Sequence, residues 1–246
     1  SDKQIYEGNK IIINKNCQGC HLIDEIGGHI AENYSAPEYS PPNLNTEGAK
    51  VQPEWLFNWF HNPYTIRPNL QVRMPSFNMT DKEWNVIIKA FQNRENDLLN
   101  FASDLKFDKT SKKFKAGAKL HELGACNNCH FYGNEFPKQG AQTWAPNMAL
   151  TKERLQPEWV IEWLRDPQNI MPGTKMPAPY LPDGEILNLP GAESDWGKYV
   201  VQIGGDQEVM LEGLRDYIYS IHGKTDISQE IQNYFNKNGY EFDDED

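Results

Sequence analysis

All four cysteines of this 246-residue chain fall in two five-residue stretches, Cys17-Gln18-Gly19-Cys20-His21 and Cys126-Asn127-Asn128-Cys129-His130. Each reads C-x-x-C-H, the spacing for covalent attachment of a c-type haem. Two sulfurs separated by two residues reach the two vinyl groups along one porphyrin edge and form thioethers with them. The next residue turns an imidazole under the ring, where its Nε2 binds iron. Paired cysteines also serve as redox dithiols or as half of a Cys₄ zinc site. A zinc site requires the two pairs to converge, and it leaves both histidines without a task. The expected cofactors are therefore two covalently bound haem c groups, one at each motif.

A C-x-x-C-H motif supplies one axial ligand, and the second must come from elsewhere in the chain. The chain repeats itself, and the repeat nominates that ligand. Pro42-Asn43-Leu44, Gln52-Pro53-Glu54-Trp55-Leu56, Trp59-Phe60, Pro63, Ile66, Pro68 and Arg73-Met74-Pro75 recur in order. Their counterparts are Pro146-Asn147-Met148, Gln156-Pro157-Glu158-Trp159-Val160, Trp163-Leu164, Pro167, Ile170, Pro172 and Lys175-Met176-Pro177. Met74 and Met176 hold matched places between the haem motif and a closing helix. A thioether there suits low-spin iron, and His/Met ligation raises its potential. A methionine on a loop also fills gaps in a core, but the recurrence of Met-Pro at one point favours ligation. Met79, Met148 and Met171 have no matched methionine, and His29, His61, His121 and His222 have no matched histidine.

The elements that must position these residues are helices. One is expected from about Lys3 to Asn16, with Ile5 and Ile12 on its apolar stripe. Another, from about Lys112 to Leu123, carries Phe114, Leu120 and Leu123. Each runs into a haem motif, and a Gly- and Pro-rich loop follows. Pro53 and Pro157 stand where a first helical turn accepts proline, and they open short helices carrying Trp55 with Trp59 and Trp159 with Trp163. Thr80-Asp81-Lys82-Glu83 is a capping box that opens a helix with Trp84, Ile87, Ile88 and Phe91 inward. Residues 96–111 read as a linker and 179–205 as an insertion marked by turn signals. A closing helix is expected from about Asp206 to His222, with Val209, Leu214, Ile218 and Ile221 inward, and a last one from about Ser228 to Lys237. The expected domains are 1–105, 106–225 and a terminal segment 226–246 with an acidic tail.

Composition narrows the partners. The net charge of -11 argues against nucleic acid, which takes a basic face. No stretch approaches the ~18 apolar residues of a transmembrane helix. Covalent haem attachment takes place outside the cytoplasm, so a periplasmic or other extracytoplasmic location is expected, with a signal peptide removed.

In this order of parts each half resembles a class I cytochrome c domain, and the whole resembles a tandem dihaem cytochrome c. The resemblance implies an all-α fold of a few helices around each haem. It implies covalent attachment at Cys17, Cys20, Cys126 and Cys129, with axial His21 and Met74 in the first half and His130 and Met176 in the second. It implies single-electron transfer between a redox protein donor and an acceptor, either as a free carrier or within a larger respiratory complex. A dihaem peroxidase and a haem gas sensor are the alternatives, and both need an open or displaceable position at one iron.

Overall fold

The computed structural model describes residues 2–34, 39–68, 70, 72–95 and 104–239. In the first unit, α1 (Asp2–Asn14) runs into a 3-10 turn at Cys17–Gly19. A hairpin of β1 (Leu22–Ile23) and β2 (Ile26–Gly27) follows. Asp24 and Glu25 make its turn, both at positive φ, as a two-residue type I′ turn requires. Then come α2 (Glu47–Lys50), α3 (Pro53–His61) and α4 (Asp81–Arg94). Pro53 sits in the first turn of α3. The capping box of α4 is complete: the Thr80 amide donates to Glu83 Oε2 at 2.8 Å, and the Glu83 amide donates to the Thr80 hydroxyl at 3.3 Å. The core of this unit joins Ile12, Ile23, Val51, Leu56, Phe60, Trp84, Ile87, Ile88 and Phe91, with Phe60 and Trp84 stacked 4.2 Å apart.

The second unit opens with α5 (Lys112–Leu123), capped by the Ser111 hydroxyl, and a 3-10 turn at Cys126–Asn128. The short α6 (Thr151–Arg154), α7 (Pro157–Arg165) and α8 (Pro167–Ile170) follow. The expected insertion folds into α9 (Gly184–Leu187), α10 (Ala192–Trp196) and α11 (Lys198–Ile203). Asp183 caps α9, and glycines at positive φ punctuate the three pieces at 191, 197 and 204. Leu187 and Val200 enter the second core, so the insertion is part of that core. The closing helix α12 (Gln207–Tyr219) is capped by Asp206, and α13 (Ser228–Asn238) ends at Gly239, φ 83°.

One crossing recurs in both units. A Cβ on Gly8 of α1 would stand 2.2 Å from the Ala90 Cβ of α4. A Cβ on Gly117 of α5 would stand 2.0 Å from the Gly213 carbonyl of α12. The opening helix therefore lies against backbone of the closing helix at Gly117 and against the Ala90 side chain at Gly8, which leaves room only for glycine at those two positions. This crossing anchors the helix that leads into each haem motif.

The units join along a reciprocal seam. Val51 and Leu155 form a single antiparallel bridge. The Gln52 amide donates to the Arg154 carbonyl at 2.7 Å and the Gln156 amide to the Lys50 carbonyl at 2.9 Å. Their side chains repeat the exchange: Gln52 Nε2 donates to the Leu155 carbonyl at 2.9 Å, and Gln156 Nε2 to the Val51 carbonyl at 3.1 Å. Leu155 packs against both cores.

Three expectations change. Helix α1 ends at Asn14 because Asn16 takes the left-handed conformation, φ 55°. Leu123 is 41% exposed, lying at the end of α5 beyond its crossing with α12. Leu105 packs against the second core, although it closes the expected first domain. Of the linker, residues 96–103 lie outside the described residues, as does the acidic tail at 240–246.

Candidate haem-binding sites

Each C-x-x-C-H motif is held by the same backbone device. The residue before the first cysteine is left-handed, Asn16 in one unit and Ala125 (φ 48°) in the other. That conformation turns the chain out of the preceding helix. The His21 amide then donates to the Cys17 carbonyl at 2.9 Å and the His130 amide to the Cys126 carbonyl at 3.0 Å. One tight turn thus gathers two sulfurs and an imidazole.

The imidazoles are oriented alike. His21 Nδ1 donates to the Pro42 carbonyl at 2.8 Å, and His130 Nδ1 donates to the Pro146 carbonyl at 2.7 Å. An Nδ1–H committed to a carbonyl fixes the tautomer that leaves the Nε2 lone pair free for a metal. Burial holds both histidines below their usual pKa, against the opposing pull of the carbonyl bond. All four cysteines are free. Burial raises the Cys17 thiol and pushes Cys126 up to about 11, so neither has the lowered pKa that marks a reactive dithiol. Among the described residues no group of three or more His, Cys, Asp or Glu gathers to hold a metal ion. The Cys₄ zinc reading is thereby removed, and the donor set fits covalent haem.

The matched methionines are half-buried, and each packs against the core of its own unit. Met79 also packs in the first unit, and Met148 is buried in the second. Met171 belongs to neither cluster. The tryptophan pairs stack in both units, Trp55 on Trp59 at 6.0 Å and Trp159 on Trp163 at 5.2 Å. Their indole donors differ. Trp59 Nε1 donates to the Tyr64 carbonyl at 3.2 Å, whereas Trp163 Nε1 donates to Met176 Sδ at 2.8 Å.

Residues 5–89 match the family model Cytochrome c. That stretch runs from α1 into α4 and includes Cys17, Cys20, His21 and Met74. The match supports a cytochrome c domain over these residues, and with it covalently bound haem c and haem-based electron transfer. No curated protein and no solved structure matches the chain. Within the described residues no helix is long and apolar enough to cross a membrane.

The structure adds residues to whose role the sequence pointed only indirectly. The carbonyls of Pro42 and Pro146 orient the histidines, and the recurring Pro-Asn was their only signal. Asn147 Oδ1 accepts from the Gly133 and Ala149 amides at 3.0 and 3.1 Å, and its Nδ2 donates to the Lys224 carbonyl at 2.9 Å. His121 is buried with its Nε2 2.5 Å from the Tyr132 hydroxyl. His61 is exposed, its Nδ1 against the Phe57 carbonyl at 2.8 Å and its Nε2 against Asp81 at 3.0 Å.

Proposed function

We propose that the chain is a dihaem electron carrier built of two tandem class I cytochrome c domains. The second haem is attached at Cys126 and Cys129, and the axial pairs are His21 with Met74 and His130 with Met176. The observation that carries this reading is the matched Nδ1–carbonyl bond at His21 and His130, which readies both imidazoles in the same way. Bound haem supplies one-electron chemistry at iron. The chain's own part is to keep each imidazole in one tautomer, to place a thioether opposite it and to exclude water. Two alike sites suit a relay of single electrons better than a division of labour between a storing and a reacting haem.

The donor and acceptor are redox proteins, met either by a free carrier or within a larger respiratory complex. The chain's charge of -11 favours partners with basic faces. Covalent haem attachment supports an extracytoplasmic location. No observation favours the peroxidase or gas-sensor readings: His61, the nearest candidate base in the first unit, is exposed and engaged with Asp81.

The test begins with intact mass under denaturing conditions, which should show two haems retained. Met74→Ala should then disturb only the first haem and Met176→Ala only the second. The reduced and half-reduced protein should neither consume peroxide catalytically nor bind carbon monoxide promptly. A single haem, or rapid peroxide turnover, overturns the assignment.

A further inference from the structure

The segment that carries each matched methionine is closed at its two ends by the same kind of ion pair. In the first unit α3 ends at His61 and α4 begins at Asp81, and His61 Nε2 stands 3.0 Å from Asp81 Oδ1. In the second unit α7 ends at Arg165. Its Nη2 donates at 2.8 Å to Oε2 of Glu208, in the first turn of α12. His61 and Arg165 hold matched places in the repeat, with the same offset as Pro53 and Pro157. The signs suit the helices they end. A cation lies at the negative end of α3 or α7, and an anion lies at the positive end of the closing helix. One latch therefore spans residues 62–80, with Met74, and the other spans 166–207, with Met176 and the insertion.

The two latches differ in one property. A guanidinium is always charged, so Arg165 needs no proton from solution to hold Glu208. An imidazole does. Neutral histidine offers one N–H donor and one acceptor nitrogen. Both nitrogens of His61 face oxygen acceptors, since Nδ1 stands 2.8 Å from the Phe57 carbonyl. The neutral ring satisfies one of them and turns a lone pair toward the other. Only the imidazolium donates to both, so the closed latch of the first unit is its protonated form. The Phe57 carbonyl of α3, and after it Asp81 of α4, hold the ring's pKa above its usual value. The latch is therefore complete below pH ~6.5, the value of an unfolded histidine, and opens as pH rises through the folded value. The pair is open to solvent, with 41% of the His61 side chain and 77% of the Asp81 side chain exposed. Exposed pairs add little to global stability, so the latch acts on the segment it closes rather than on the fold.

We infer that His61 and Arg165 are positioning residues for the two methionine-bearing segments, and that the first latch is a proton-dependent switch whereas the second is permanent. Below the His61 transition both segments are closed. Above it the first is released at one end, and the second stays pinned between Arg165 and Glu208. The inference requires neither a second haem nor ligation by Met74 or Met176. On the proposed axial role of Met74, it puts that ligand's segment alone under proton control.

The experiment uses the full haem-loaded chain in its reduced form, followed by nuclear magnetic resonance. The His61 ring should titrate above the ~6.5 of an unperturbed histidine, and Asp81→Asn should bring it down. Hydrogen-exchange protection is then measured from roughly pH 5.5 to 8.5, on both sides of that value, against the unprotected rate at each pH. The reporters in the first segment are the amides of Leu70 and Met79, which donate to the Arg67 and Phe77 carbonyls. Their protection should fall roughly two- to fivefold as His61 loses its proton, the range of an exposed pair. The amides of Met171 and Thr174, bonded within the second segment, should keep theirs. His61→Arg should hold the first segment protected at high pH, His61→Gln should leave it less protected at every pH, and Arg165→His should transfer the fall to the second segment. A His61 ring that titrates at or below ~6.5, or a fall that survives in His61→Arg, overturns the inference. Neither readout depends on the ligand at iron. A different axial residue would refute the proposed ligand set and leave this test in place.

Discussion

Trp163 is the residue that separates two otherwise parallel sites. Its indole N–H donates to Met176 Sδ, while the matched Trp59 donates to a backbone carbonyl. A donor on a ligating sulfur draws electron density away from the metal, and hydrogen bonding to ligands is one lever on potential. On the proposed assignment of Met74 and Met176 as axial ligands, Trp163→Phe should therefore lower the potential of the second haem, and Trp59→Phe should leave the thioether of the first in place. Equal shifts in the two variants, read by spectroelectrochemistry, would remove this distinction. His121 carries a second residue-scale prediction. Burial pushes its pKa down to about 4, below the ~6.5 of an unfolded histidine. The unfolded chain then binds the extra proton between those values, so stability is full above pH ~6.5 and declines as pH falls toward 4. The loss is at most about 1.4 kcal/mol per pH unit. His121→Gln should flatten that part of the melting profile, and an unaltered slope would show that another group governs it.

At the scale of elements, the crossing of first and last helices decides how firmly each haem motif is held. Gly117→Ala puts a Cβ where the Gly213 carbonyl stands 2.0 Å away. Backbone on both sides leaves no side chain free to yield, so α5 must shift from α12. The expected cost is about 1–3 kcal/mol, with the proposed second haem perturbed more than the first. Calorimetry with haem difference spectra checks this, and a wild-type melting temperature would mean the crossing is looser than it stands. Much of this level was legible in the sequence. The limits of α5, the capping box at Thr80, the proline starts of α3 and α7 and the burial of Trp84 all follow from local rules. The insertion was not legible as helix. Its pieces have four to six residues, too short for periodicity to register, and they are held by caps and by packing on the second core. The left-handed Ala125 was also hidden, since alanine carries no preference for that conformation. Only its place beside Asn16 in the repeat marks it.

At the scale of the molecule, the duplication is visible as a list of matched residues, but their use in joining the units is not. Gln52 and Gln156 recur in the same tetrapeptide, and sequence gives neither one a partner. In the fold each reaches across to the carbonyl one residue before the other, so a repeated residue becomes a reciprocal clasp. The two glutamines are not equal. The Gln156 side-chain oxygen is buried without a donor, whereas no such orphan occurs at Gln52. Gln52→Ala removes a bond to the Leu155 carbonyl and should cost ~1 kcal/mol, the net worth of a typical hydrogen bond. Gln156→Ala loses a similar bond to the Val51 carbonyl, but it also relieves an unsatisfied acceptor and should cost less. The double variant should depart from additivity, because both side chains act on one short bridge and share Leu155. Its unfolding should also begin to resolve into two steps as the units lose their common seam. Urea denaturation of the haem-loaded single and double variants measures all three terms. A Gln156→Ala cost equal to or above that of Gln52→Ala would show that the clasp is symmetric in energy as well as in geometry.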